Sequence, residues 1–190
     1  MSSIIHMPLS EMEALIEENL QTLSQLRYFV AELSPEPYRQ ALGDHGRHTL
    51  GKHIRHIIDH YDALLGEGTL PATATIDYEH RQRDTSLEQS PSRAAQRLAW
   101  IESRLQTLKQ REPVHDAIQL VYPAGGSTLD LESSLGRELA FLTSHTIHHM
   151  AIIGLLAESL GIGLPEDFGV HPSTLRHWRR EAAALSARSA

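Results

Sequence analysis

The chain has 190 residues, 41% hydrophobic and 22% charged, with a formal net charge of −7. This fits one globular domain and argues against a broad basic surface for nucleic acid or anionic lipid. The absence of cysteine excludes disulfide scaffolds, thiolate metal sites and thiol nucleophiles, whereas histidine is unusually frequent, thirteen against seventeen lysines and arginines together.

Met1 to Pro8 is too short and too polar for a signal peptide, and no apolar run is expected to approach membrane-spanning length. The expectation is a cytoplasmic protein with no membrane partner. From Leu9 to Leu33, Met12, Leu15, Ile16, Leu20, Leu23, Leu26 and Val30 recur at helical spacing. Ser10 is the predicted N-cap, with Glu13 completing a capping box, and Ser34-Pro35-Glu36-Pro37 stops the helix. This helix reads as a core wall.

A second helix is predicted from about His48 to Leu65, ending at Gly66-Glu67-Gly68. His53, His56 and His60 lie on one side of it, among Leu50, Ile54, Ile57, Tyr61 and Leu64, where a core stripe would carry leucine or valine. Any of the three could act as a ligand, and Asp59 or Asp62 could orient a ligand imidazole. The connection from Gly66 to Ser90 is long, which predicts a crossover leaving the second and third helices parallel. It holds the densest polar cluster, Tyr78 to Asp84. Arg81 and Arg83 are candidates for binding a substrate anion, with Tyr78 as a hydroxyl donor and His80 as a proton-transfer group. The alternative is that these arginines pair with acidic helix surfaces.

Ser90-Pro91-Ser92 begins a third helix with the stripe Ala94, Leu98, Ile101, Leu105 and Leu108. Val114 to Tyr122 and Ser127 to Leu131 predict a short hairpin across Pro123-Ala124-Gly125-Gly126. The fourth helix, capped by Ser133 or Ser134, has an apolar stripe read from Leu131 through Leu135, Leu139 and Leu142 to Leu160. Within it stands Ser144-His145-Thr146-Ile147-His148-His149. His145 and His149 differ by roughly 40° around the axis and one turn along it, so both interrupt the core face. Two neutral imidazoles so placed can share a metal ion, against the plainer reading of two hydrogen-bonded core histidines; His148 competes with them as a ligand. Glu138, two turns before His145, is a candidate partner in catalysis or in orienting a ligand, or a capping or salt-bridge residue. A short terminal helix follows near Pro172. Its phrase Gly169-Val170-His171-Pro172-Ser173-Thr174-Leu175-Arg176-His177-Trp178 resembles the recognition helix of small helix-turn-helix regulators.

Two stretches also resemble the DinB/YfiT-like metalloproteins. Thr49-Leu50-Gly51-Lys52-His53-Ile54-Arg55-His56-Ile57 resembles the second-helix motif whose last histidine is a metal ligand. Arg137 to His149 resembles the fourth-helix motif His-x-x-His-His, whose first and last histidines ligate. The resemblance implies metal ligands His56, His145 and His149 and an all-α fold. That fold is a single four-helix bundle over residues 1–190, with the long connection, the hairpin and the terminal helix as additions. It also implies a divalent ion such as Zn, Ni or Fe, with positions left for water. The implied reactions are a metal-dependent hydrolase or a thiol-dependent transferase using a low-molecular-weight thiol cosubstrate on a small-molecule substrate. Met150-Ala151-Ile152-Ile153 follows the histidine pair where relatives commonly carry Gln or Gly, and His53, His60 and His148 are additional. The alternatives are a non-catalytic metal-binding stress protein and a DNA-binding regulator using the terminal helix. Homodimerisation stays open, and the acidic charge disfavours nucleic acid.

Overall fold

The computed structural model describes residues 9–66, 74–80, 83–110 and 117–188. Helix α1 (Leu9–Glu32) buries Ile16, Leu23, Leu26 and Val30 along one stripe. It already includes Ser10, so Ser10 is not the capping residue expected of it. The prolines that stop α1 start a helix of their own, α2 (Pro35–Arg39), because proline fits the first helical turn. The Tyr38 hydroxyl on α2 donates to the Leu87 carbonyl at 2.6 Å.

Helix α3 (Leu50–Leu65) begins where Thr49 Oγ1 accepts the Lys52 N–H at 3.0 Å. Its buried face runs through Ile54, Ile57, Ile58, Tyr61 and Leu64. The long connection after it is not a plain loop. It contains strand β1 (Ala74–Asp77) and a single-turn helix α4 (Ser86–Gln89). Helix α5 (Pro91–Lys109) starts on Ser90 as its sequence predicts and buries Ala94, Leu98, Ile101 and Leu105. Arg97 and Arg104, off that stripe, tie α5 to α3, through Asp62 at 3.0 Å and the Leu65 carbonyl at 3.2 Å.

The expected hairpin is present, shifted along the chain: β2 (Ala117–Ala124) pairs antiparallel with β3 (Ser127–Ser134). Gly125 and Gly126 turn it with φ of +57° and +86°, a left-handed pair that suits glycine. β1 adds in parallel to β2, placing Ile76 beside Leu120, and makes a three-stranded sheet in the order β1-β2-β3. Helix α6 (Leu135–Ser159) follows β3 directly, with Ser134 Oγ accepting the Arg137 N–H at 3.2 Å. Leu131, read from the sequence as the start of this helical stripe, is an exposed strand residue instead. The last helix, α7 (Pro172–Arg188), is longer than expected, and Arg176 pairs with Glu18 of α1.

The protein is therefore mostly helical with a small sheet. α1 packs on α5 and α6, and α3 packs on the same two helices. Contrary to the sequence expectation, α6 is long and apolar enough to cross a membrane by length and composition. It nevertheless carries the fully buried Glu138 and three histidines, and it lies against α1 and α3.

Candidate metal centre

The polar scaffold of the site starts behind the histidines. Asn19 of α1, fully buried, donates to the Leu139 carbonyl of α6 at 3.1 Å and accepts the Tyr61 hydroxyl of α3 at 2.6 Å. The Thr146 hydroxyl meets that of Tyr61 at 3.5 Å. Buried polar groups are stable only when satisfied, so this network fixes the rotation of α3 and α6 about their axes. The rotation it fixes turns the histidine faces toward each other.

His56, His145 and His149 each offer one nitrogen, and the three nitrogens lie within 4.8 Å of one another. Their ring centroids are 4.5–5.1 Å apart. Ligands on a tetrahedral ion at about 2.1 Å are separated by roughly 3.4 Å, so rotations moving each ring by an ångström or so close the set. The donors suit a metal chemically as well. Burial, and then the neighbouring His145, push the His149 imidazole down to about 3, leaving it neutral with a lone pair to give. Among the described residues, three imidazoles and no carboxylate make up the group, a set that suits zinc, nickel, iron or copper.

The other histidines surround this group. His60, 6% exposed, donates its Nδ1–H to the His56 carbonyl at 2.8 Å, which leaves its Nε2 as the acceptor nitrogen. Its ring lies 4.0 Å from that of His145. His53 faces His149 with 3.1 Å between their Nδ1 atoms, and burial lowers its pKa. His148 is exposed and meets His149 edge-on.

Tyr78, expected near the metal, does border the histidines. Its ring stacks on His60 at 5.3 Å and lies 5.5 Å from Phe141, which in turn stacks on His145 at 5.4 Å. The Tyr78 hydroxyl donates to Glu138 Oε2 at 2.8 Å. Burial raises its pKa, and the Glu138 charge adds to that. Glu138 also accepts from Ser133 Oγ and, at 2.6 Å, from Arg137 Nη1. Its hydrogen-bond donors are therefore a phenol, a hydroxyl and a guanidinium rather than a ligand imidazole. Asp59 accepts from Arg55 at 2.5 Å and Asp62 pairs with Arg97. The His80 side chain is 80% exposed, and its Nδ1–H is donated to Asp77 at 2.8 Å. Arg83 is exposed, and Arg81 lies outside the described residues. Arg137 does lie near the rings, its guanidinium 5.6 Å from the Phe141 ring centre. The spacing of Arg137, Phe141 and His145 at i, i+4 and i+8 was the sequence signal for that face.

A 31% identical stretch of 127 residues, 64% of this chain, matches "FK506-binding protein 5" of the fungus Rhizopus delemar, and covers only 32% of that longer protein. The DinB superfamily model matches residues 13–153, which include the two helices that supply the histidine group, α3 entirely and α6 as far as Ile153. The chain belongs to the DinB superfamily.

Proposed function

We propose that this protein is a divalent-metal protein of the four-helix-bundle type, in which α1, α3, α5 and α6 form the bundle and His56, His145 and His149 bind the ion. On this reading it is a metal-dependent hydrolase or thiol-dependent transferase for a small molecule. One observation carries it: three histidines from two helices, far apart in sequence, bring their nitrogens within 4.8 Å of one another. Three neutral imidazoles that leave a coordination position open are the donor set of catalytic rather than structural sites. A bound divalent ion lowers the pKa of coordinated water or thiol and polarises a carbonyl.

The chain's own residues supply the surroundings. His56, His145 and His149 offer lone pairs. Tyr78, His60 and Phe141 wall one side of the cluster with rings and limit the access of water there. The Tyr78 phenol is committed to Glu138 and keeps its proton, so it orients and does not shuttle. Arg137, with its side chain 57% exposed, has guanidinium N–H groups left for an anionic substrate at the rim.

Elemental analysis of the purified protein tests the reading. About one equivalent of zinc, nickel or iron is expected in the wild type. His149→Ala should lose it and His148→Ala should keep it, since His148 is exposed and outside the group. Equal retention by both variants, or equal loss, would refute the assignment. Turnover that needs both metal and added thiol separates the transferase from the hydrolase.

A further inference from the structure

Three histidines form a chain leading outward from the candidate metal centre. His149 and His53 face each other through their Nδ1 atoms at 3.1 Å, and His53 Nε2 faces His48 Nδ1 at 3.4 Å. The His53 and His48 rings are stacked, 12° from parallel. Exposure rises along the chain: His149 and His53 are half-buried, and His48 is exposed.

A neutral imidazole carries one N–H and one lone pair, so three in a row admit two consistent proton orders. In the inward order, His48 Nδ1–H donates to His53 Nε2 and His53 Nδ1–H donates to His149 Nδ1. His149 then carries its own proton on Nε2 and has no lone pair left for an ion. In the outward order, His149 Nδ1–H donates to His53 Nδ1, and His53 Nε2–H donates to His48 Nδ1. His48 keeps its remaining N–H on Nε2. Only the outward order leaves a lone pair on His149, and it sits on Nε2.

We propose that His53, backed by His48, is a positioning residue that holds His149 in its Nδ1–H tautomer and so selects Nε2 as its metal-binding nitrogen. The proposal rests on the metal reading above. It gives an imidazole the task that a carboxylate or backbone carbonyl usually performs behind a ligand histidine.

The test uses the full chain labelled with 15N. Long-range 1H–15N correlation of the zinc-loaded wild type should show His149 protonated at Nδ1 and zinc-bound at Nε2, with His53 unprotonated at Nδ1. Zinc affinity, read by competition with a chelator, should fall by roughly 10- to 100-fold in His53→Phe, which keeps the ring and removes both nitrogens. His53→Gln offers an amide oxygen to the Nδ1–H and should recover most of that loss. Zinc bound through His149 Nδ1, or a zinc-bound nitrogen on His53, overturns the proposal. So does a well-folded His53→Phe with wild-type affinity. If His53→Phe does not fold, the wild-type tautomers decide the matter. A wild type that takes up no zinc removes the metal reading and this proposal together, whereas normal uptake with the wrong tautomer removes only this one.

Discussion

The half-buried His149 imidazole resists taking up a proton. His149 has its pKa pushed down to about 3 from an ordinary 6.5, by burial first and then by His145, His53 and His148. The unfolded chain therefore binds more protons than the folded one below about pH 6.5, and folding loses stability as pH falls toward 3. His53, also lowered by burial, adds to the same slope. The expected outcome is that the metal-free protein melts at progressively lower temperature from about pH 6.5 to pH 5, above the range where ordinary carboxylates titrate. His149→Gln should flatten that slope in thermal melts with a chelator present. An unchanged slope would mean that other groups set the acid sensitivity. Residues of this kind were readable in the sequence, because the helical period is local and puts His145 and His149 on one face. The contact between Glu138 and Tyr78 was not. Tyr78 is 60 residues away in the chain and reaches it from the end of a strand that the sequence does not announce.

Among the elements, α3 and α4 approach each other closely at Gly51. A Cβ added to Gly51 in the first turn of α3 would lie 2.3 Å from the Glu88 carbonyl oxygen and 2.7 Å from the Tyr38 ring. One of these is backbone, so the contact is relieved only by moving an element. Gly51→Ala is expected to cost about 1–3 kcal/mol, as overpacking does, despite alanine's better helix propensity. Chemical denaturation measures it, and a neutral or stabilising result would show that α4 yields freely. The same approach explains why the short elements inside the long connection are not legible in the sequence. Its four-residue helix and four-residue strand are too short for periodicity to show, and both are held by contacts with α3. The long helices were legible because each shows several turns of a single buried stripe. Ser90 and Ser134 mark two of their starts as expected, whereas the capping box at Ser10 falls inside α1.

For the whole molecule, a ligand that binds only the folded chain adds stability by mass action. Free zinc at a hundredfold excess over its dissociation constant contributes about 2.7 kcal/mol. In a domain of this length that raises the melting temperature by roughly 5–11 °C. The shift should vanish in His149→Ala and persist in His148→Ala; calorimetry with and without zinc checks both. The sheet bears on how such binding is transmitted. β1 packs on α3, while β3 passes into α6 with no residue between them, and β2 joins the two strands. The helices bearing His56 and His145 are thus yoked at one end to a single ribbon, whose glycine tip at Gly125-Gly126 projects from the helical body. Mechanically it is a lever with its short arm on the first turn of α6. Inserting a folded domain between Gly125 and Gly126 should therefore change the zinc affinity of the histidine group, read by competition with a chelator, whereas an unchanged affinity would show that the sheet carries no load to α6.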